Sequence, residues 1–127
     1  MTYGTFMATV RERGEYAADE AEQVVRAVIG TLGERLPPTS AEHLADQLPT
    51  PLADIVDQSD GPARTWGVSE FINQVAEHTE QDEIAAEEDT RIVFSVLADQ
   101  ITGGEMNKLI SQLPSGYAEL FGHGELS

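Results

Sequence analysis

Cysteine is absent, lysine occurs once, at Lys108, and aromatic residues make up only 6% of the 127 residues. Without thiols there is no disulfide framework, no thiolate metal site and no cysteine nucleophile, so stability must come from packing. The shortage of rings points to a core of Leu, Ile, Val and Ala rather than stacked aromatics. Nowhere do 18 consecutive apolar residues occur, and the first residues carry neither a basic flank nor an apolar run. A membrane span and a secretory leader are therefore not expected, and the chain reads as a cytoplasmic protein.

Positive charge is the other scarcity. Seven basic residues face 23 acidic ones, for a formal net charge of −16. Such a field repels phosphate backbones and anionic lipid surfaces, which argues against nucleic acid and membranes as partners. The arginines (Arg11, Arg13, Arg26, Arg35, Arg64 and Arg91) are spread along the chain and form no basic stretch. The acid excess fits a solvated surface adapted to high salt, or a surface for cations or a basic partner.

What the chain does have is a copy of itself. "EHLADQLP" at 42–49 and "NKLISQLP" at 107–114 both close on L-x-x-Q-L-P, and a shift of 65 aligns 6–56 with 71–121 without a gap. Fourteen of the 51 pairs are identical, among them Phe6/Phe71, Val10/Val75, Glu15/Glu80, Glu22/Glu87, Arg26/Arg91, Leu32/Leu97, Gln47/Gln112 and Pro49/Pro114. Because the apolar positions stay in phase, the chain reads as a tandem duplication. Halves of this size bury too little surface to be comfortable alone, so residues 1–127 are expected to form one domain with a shared core. The polar stretch 57–70, with Gly61-Pro62, reads as the connector.

Each copy has the periodicity of helices. Over 19–36, Ala21, Val24, Val25, Val28, Ile29, Leu32 and Leu36 recur at spacings of three and four, the stripe of a helix lying on a core. Ala86, Val93, Val96, Leu97 and Ile101 continue the stripe in the second copy, where Asp89 and Thr90 replace Val24 and Val25; that end is expected nearer solvent. Phe6 with Val10, and Phe71 with Val75, mark a shorter helix before the long one. Thr39 with Glu42 and Thr102 with Glu105 have capping-box spacing, which predicts third helices over 40–48 and 104–113 that Pro49 and Pro114 stop at Leu48 and Leu113. Thr50-Pro51 and Ser115-Gly116 then open a short fourth helix burying Leu52 and Ile55, or Leu120 and Phe121. No segment alternates with period two. The expected fold is all-α, about four helices per copy, packed as one pseudo-two-fold helical bundle. Gly30 and Gly33, matched by Ser95 and Ala98, are small residues three apart, and predict that the two long helices cross there.

These features together resemble a bacterial and archaeal domain of unknown function, numbered 2267. Its pattern is an aromatic-led first helix, an A-x-x-x-x-R-A-V-L-like second helix ending in R-L, and a closing L-x-x-Q-L-P. Phe6, Ala21, "RAVIGTL" at 26–32, "ERLP" at 34–37 and "LADQLP" at 44–49 match it. Phe71, "RIVFSVL" at 91–97 and "LISQLP" at 109–114 match less closely, and "DQITGG" at 99–104 departs from it. The resemblance implies an all-helical fold and no reaction, catalytic residue or cofactor.

Chemistry-bearing patterns are few. Glu22 precedes Arg26 by four, as Glu87 precedes Arg91, an order that stabilises a helix surface and equally makes a charged recognition spot present twice. Gln47 and Gln112 are either ligand-binding amides or caps for a loop carbonyl. His78 with Asp82 and Glu119 with His123 share helix faces, but neither pair is repeated and no E-x-x-H pair exists, so no metal site is assigned. The acids of 77–89 lack the ladder and glycine of an EF-hand loop. There is no G-x-S-x-G elbow and no glycine-rich phosphate loop, so the chain is not read as an enzyme.

Two functions are consistent with this. The first is a helical scaffold or interaction module that recognises a protein partner or another copy of itself, with Trp66 and Arg64 of the connector as an aromatic anchor and its neighbour. The alternative is a small-molecule or cation sensor with a pocket between the repeats, carrying Arg26 and Arg91 or the acid cluster; no cofactor is implied by either. Salt screens self-repulsion in a chain of this charge. The thermal midpoint is therefore expected to rise from dilute buffer to molar sodium chloride, and equal midpoints in calorimetry would remove the salt-adaptation reading.

Overall fold

Among the described residues, eight α-helices follow the apolar periodicity. The computed structural model describes residues 2–58 and 65–122, and among these residues there is no strand. The order is α1 (Tyr3–Gly14), α2 (Ala18–Arg35), α3 (Pro38–Asp46), α4 (Thr50–Asp57), α5 (Val68–Thr79), α6 (Glu83–Gln100), α7 (Gly103–Ser111) and α8 (Tyr117–Leu120). No helix among them is long and apolar enough to cross a membrane.

Local chemistry sets the boundaries. Thr2 Oγ1 accepts from the Thr5 amide at 3.0 Å, Asp82 Oδ1 from Ala85 at 2.8 Å and Thr102 Oγ1 from Glu105 at 3.2 Å, each satisfying a free amide at a helix start. Thr39 does not play this part. Pro37 occupies the cap and Pro38 the first turn, where a missing N–H costs nothing, so α3 begins before Thr39. The third helices also stop earlier than the prolines require: Gln47 and Gln112 are the C-caps, two residues before Pro49 and Pro114, so neither helix reaches Leu48 or Leu113. α1 and α5 both end on a glutamate in the left-handed region, Glu15 and Glu80, each with φ 55° and ψ 42°. One of the sequence identities is thus a shared backbone conformation that glycine or asparagine more often supplies.

The core forms where the stripes meet. Phe6, Val10, Phe71 and Val75 are fully buried, as are Ala21, Val28, Ile29, Leu32, Ala86, Val93, Val96 and Leu97 of the long helices. α1 packs against α2, α4 and α6, while α5 packs against α6 and α2, so each of these shorter helices lies on both long ones. α4 covers α2 and α3, and α8 covers α6.

Three expectations are corrected here. Asp89 and Thr90 are buried rather than near solvent, because the Thr90 hydroxyl donates to the Ala86 carbonyl at 2.8 Å and the Asp89 carboxylate accepts from the Tyr16 hydroxyl. Stacked rings do contribute to the core: Phe94 stacks on Phe121 with centroids 4.0 Å apart, and Phe71 contacts Phe94 tilted and Tyr117 edge-on, each at 5.6 Å. These four rings lie in the second half, on α5, α6, α8 and the residue following α8; along the sequence Phe94, Tyr117 and Phe121 stand 65 residues after Ile29, Leu52 and Val56. Finally, the small residues of the long helices do not face one another. A Cβ on Gly33 would lie 2.7 Å from the Val56 carbonyl of α4, and Ser95 faces Arg13 of α1.

α8 is shorter than α4 because Gly116 leaves helical geometry at φ 104°, and a Cβ there would also meet Val68 at 2.9 Å. Tyr117 then enters the core, and its hydroxyl donates to the Trp66 carbonyl at 2.9 Å. Arg35, itself buried, donates to the same carbonyl at 2.7 Å and lies over the Tyr117 ring.

Gly33 and Gly30 make different demands. Gly33→Ala drives a methyl into α4 backbone and is expected to cost about 1–3 kcal/mol. Gly30→Ala meets its nearest neighbour, Ile55 Cγ2, at 3.8 Å, an ordinary contact, and is expected to stabilise by up to about 1 kcal/mol through helix propensity. Urea unfolding of the two variants checks both signs.

Candidate functional site

The C-caps Gln47 and Gln112 end their helices beside one groove. It lies between α3 and α7, has a volume of about 290 Å³, and is bordered by Ser40, His43, Leu44 and Gln47 from one side and by Glu105, Lys108, Leu109 and Gln112 from the other. These are four pairs of residues each 65 apart. Leu44 and Leu109 are buried and give the groove its apolar floor, with Ile101 beside them. The rim is polar. Gln47 Nε2 donates to the His43 carbonyl at 3.0 Å and to Glu105 Oε2 at 3.4 Å, which ties α3 to α7, and Lys108 lies 3.6 Å from Glu105. Gln47 is therefore partly a cap and partly a crosslink, whereas Gln112 stands exposed at the opposite wall.

A second cavity, of about 380 Å³, lies against the outer part of α2. Arg26, Gly30 and Glu34 of α2, Ile55 of α4, Gln58 and His78 of α5 border it. Arg26 Nε pairs with Glu22 at 3.4 Å along the helix. Arg91 pairs with Glu87 at 3.2 Å and reaches further, to the Glu119 carboxylate of α8 at 3.3 Å. The expected i, i+4 pairs are thus present, both exposed, each contributing roughly 0.2–0.5 kcal/mol. The two arginines do not share a cavity: Arg26 borders the one beside α2, and Arg91 fastens α8. Trp66 borders neither cavity and is half-buried, its carbonyl held by Arg35 and Tyr117. Arg64 and His123 lie outside the described residues. Among the described residues no group of three or more His, Asp or Glu side chains is placed to hold a metal ion.

The groups with displaced pKa values sit elsewhere. Tyr16, in the turn between α1 and α2, donates its hydroxyl to Asp89 Oδ1 of α6 at 2.5 Å. Burial raises the Tyr16 pKa, and the bond to Asp89 and the charges of Asp89, Glu20 and Glu88 raise it further. Burial also raises Asp89 above its ordinary 3.8; the bond from Tyr16 opposes this and the charges of Glu20 and Glu88 add to it. Asp89 Oδ2 is buried and, among the described residues, has no hydrogen-bond partner. Tyr117 is raised by burial, with Arg35 opposing. None of the three borders either cavity.

The sequence did not single out Arg35 or Tyr16, and it placed Asp89 nearer solvent than it lies. Arg35 lies in the "ERLP" that carries the family pattern, but nothing in its spacing shows that it turns inward. Tyr16 and Asp89 are 73 residues apart and have no counterpart in the repeat, where their positions hold Gln81 and Val24.

A helical protein with a repeated L-x-x-Q-L-P ending is the class that these features define. The chain belongs to the DUF2267 family of uncharacterized conserved proteins, whose family model matches residues 3–120. Comparison with curated proteins returned no match.

The buried carboxylate generates a pH signature. Below its ordinary value of 3.8 the folded and unfolded chains both hold the Asp89 proton, and the group contributes no penalty. As pH rises the unfolded chain ionises first, and the folded chain loses stability until pH passes the raised value. The stability of Asp89→Asn relative to the parent is therefore expected to climb across that interval and then level, when urea unfolding is followed at a series of pH values; a constant difference would contradict the assignment.

Proposed function

We propose that the protein is a non-enzymatic, acidic helical interaction module, built from two copies of a four-helix unit related by a pseudo-two-fold axis, and that it recognises a protein partner through the groove between α3 and α7. The observation that carries this reading is the make-up of the groove. Ser40 and Glu105, His43 and Lys108, Leu44 and Leu109, and Gln47 and Gln112 all border it, so four pairs of residues 65 apart line one groove, as a pseudo-two-fold axis through it would require. Equal lengths of α1 and α5, α2 and α6, and α3 and α7, and the shared left-handed Glu15 and Glu80, support the two-copy arrangement.

The groove's chemistry suits an extended segment of protein. Glutamine amides both donate and accept, as a peptide backbone does, and the leucine floor with a polar rim follows the layout of a small interface. A volume of about 290 Å³ is at the lower edge of pockets that enclose a small molecule, about 300–1,000 Å³, and admits one or two side chains instead. The groups with displaced pKa values lie in helix contacts away from both cavities, where they serve packing rather than catalysis. The sensor reading drew on a pocket between the repeats carrying Arg26 and Arg91 or the acid cluster; neither cavity is bordered by both arginines, which leaves that form of it with less support. A net charge of −16 fits a basic or neutral partner and opposes nucleic acid, and a chain without cysteine suits the cytoplasm.

Peptides selected by display against the full chain are expected to lose at least about tenfold in affinity when Gln47→Ala and Gln112→Ala are combined, the loss of one or two hydrogen bonds to the partner. Circular dichroism should show unchanged helix content. Selected peptides that bind the double variant as well as the parent would move recognition away from the groove.

A further inference from the structure

The cavity beside α2 has a counterpart in the other half of the chain, and there it is filled. A step of 65 along the sequence takes Gly30 to Ser95 and Glu34 to Asp99, and the same step backwards takes His78 to Arg13. Those three counterparts touch. Arg13 of α1 donates from Nη1 to Ser95 Oγ at 3.0 Å and pairs through Nη2 with the Asp99 carboxylate at 2.5 Å, so a guanidinium lies across α6 on a hydroxyl and a carboxylate. Across α2 the corresponding space is open.

Three differences account for it. His78 is shorter than arginine and does not carry a guanidinium fork to the helix opposite. Gly30 supplies neither bulk nor hydroxyl, and its nearest neighbour, had it a Cβ, would be Ile55 Cγ2 at 3.8 Å, so nothing has collapsed into the vacancy. Glu34 keeps the carboxylate, half-buried at the cavity wall, and among the described residues it has no ion-pair or hydrogen-bonded partner. Arg26 also borders the cavity, but its charge is engaged by Glu22, as that of Arg91 is by Glu87 in the half where Arg13 is accommodated.

We propose that the cavity bordered by Gly30, Glu34 and His78 is a binding seat for a guanidinium group supplied from outside the chain, which pairs with Glu34 as Arg13 pairs with Asp99. This rests on the two-copy reading but not on the α3–α7 groove. The protein's own second half shows the chemistry of the occupant. A planar, delocalised cation with several donors fits a carboxylate beside a polar rim better than an ammonium does, and the acidic surface raises the local concentration of cations. Two sources offer this chemistry, a small guanidino compound and an arginine side chain of a protein.

The test is a titration of the isotopically labelled full chain with N-acetyl-arginine amide, followed by the backbone amide signals of Gly30, Glu34 and His78. N-acetyl-citrulline amide, of the same shape and without the charge, is the control. Saturable shifts with the arginine compound are expected, weaker by about tenfold or more with the citrulline compound and in Glu34→Gln, the loss of a charge-assisted pair. Absent shifts, equal binding of both compounds, or unchanged binding by Glu34→Gln would overturn the proposal. Gly30→Ser combined with His78→Arg rebuilds the occupied arrangement of the other half, so it should abolish binding while the remaining spectrum stays in place; binding retained by that variant also overturns it. Tighter binding of 4-guanidinobutylamine than of a blocked Gly-Gly-Arg-Gly-Gly peptide assigns the occupant to a small molecule, and the reverse order to a protein's arginine. The combined Gln47→Ala and Gln112→Ala variant should titrate like the parent, which separates this seat from the groove.

Discussion

The apolar stripes of α2 and α6 have to be covered on more than one side, and everything else in the fold follows from how that is done. Cover comes from across the chain as well as from nearby: α5 lies on α2 and α1 lies on α6. Once the first helix of each half is committed to both long helices, the halves cannot be separate bodies. The third helices are left at the outside of the assembly, free to border a groove, and the outer faces of the long helices are left to the short fourth helices and to whatever side chains α1 and α5 extend over them.

Much of this was legible in the sequence, and the reason is physical. A stripe at spacings of three and four states which face is buried, and Val28, Leu32, Val93 and Leu97 are buried as their spacing requires. The short segments led by Phe6 and Phe71, and the helices that bury Leu52, Ile55, Leu120 and Phe121, were equally plain. The errors arose where a residue's neighbours, rather than its own character, decide its place. Asp89 and Thr90 look like surface residues, yet Tyr16 and the Ala86 carbonyl satisfy them inside. Gly33 announces a close approach but not by which helix, and α4 rather than α6 makes it. Thr39 had the spacing of a cap, and two prolines ahead of it started the helix sooner.

The candidate site was half legible. Gln47 and Gln112 could be singled out as repeated polar residues, but their convergence depends on how α3 and α7 sit, which spacing along the chain does not contain. Arg26 and Arg91 attracted the same attention and were separated by a difference elsewhere: Glu119 holds Arg91 against α8, whereas Arg26 pairs, among the described residues, with Glu22 of its own helix. In the second half the aromatic residues turn inward on one another. Phe94, Phe121, Phe71 and Tyr117 form a connected group, and Arg13 bridges to Ser95 and Asp99. The first half has Ile29, Leu52 and Val56 where the second has Phe94, Tyr117 and Phe121.

The contact between Arg13 and Asp99 joins residues 86 apart in the chain. A ribosome adding roughly 5–20 residues per second makes the second of these partners about 4 to 17 s after the first. Throughout that interval α1 exists without the helix that covers its far side, and Phe6 and Val10 have only α2 and α4 to shield them. The duplicated architecture therefore carries a cost that belongs to synthesis rather than to the finished fold: the first half emerges as a unit whose own helices are all present, yet part of its apolar surface waits for a helix that has not been translated.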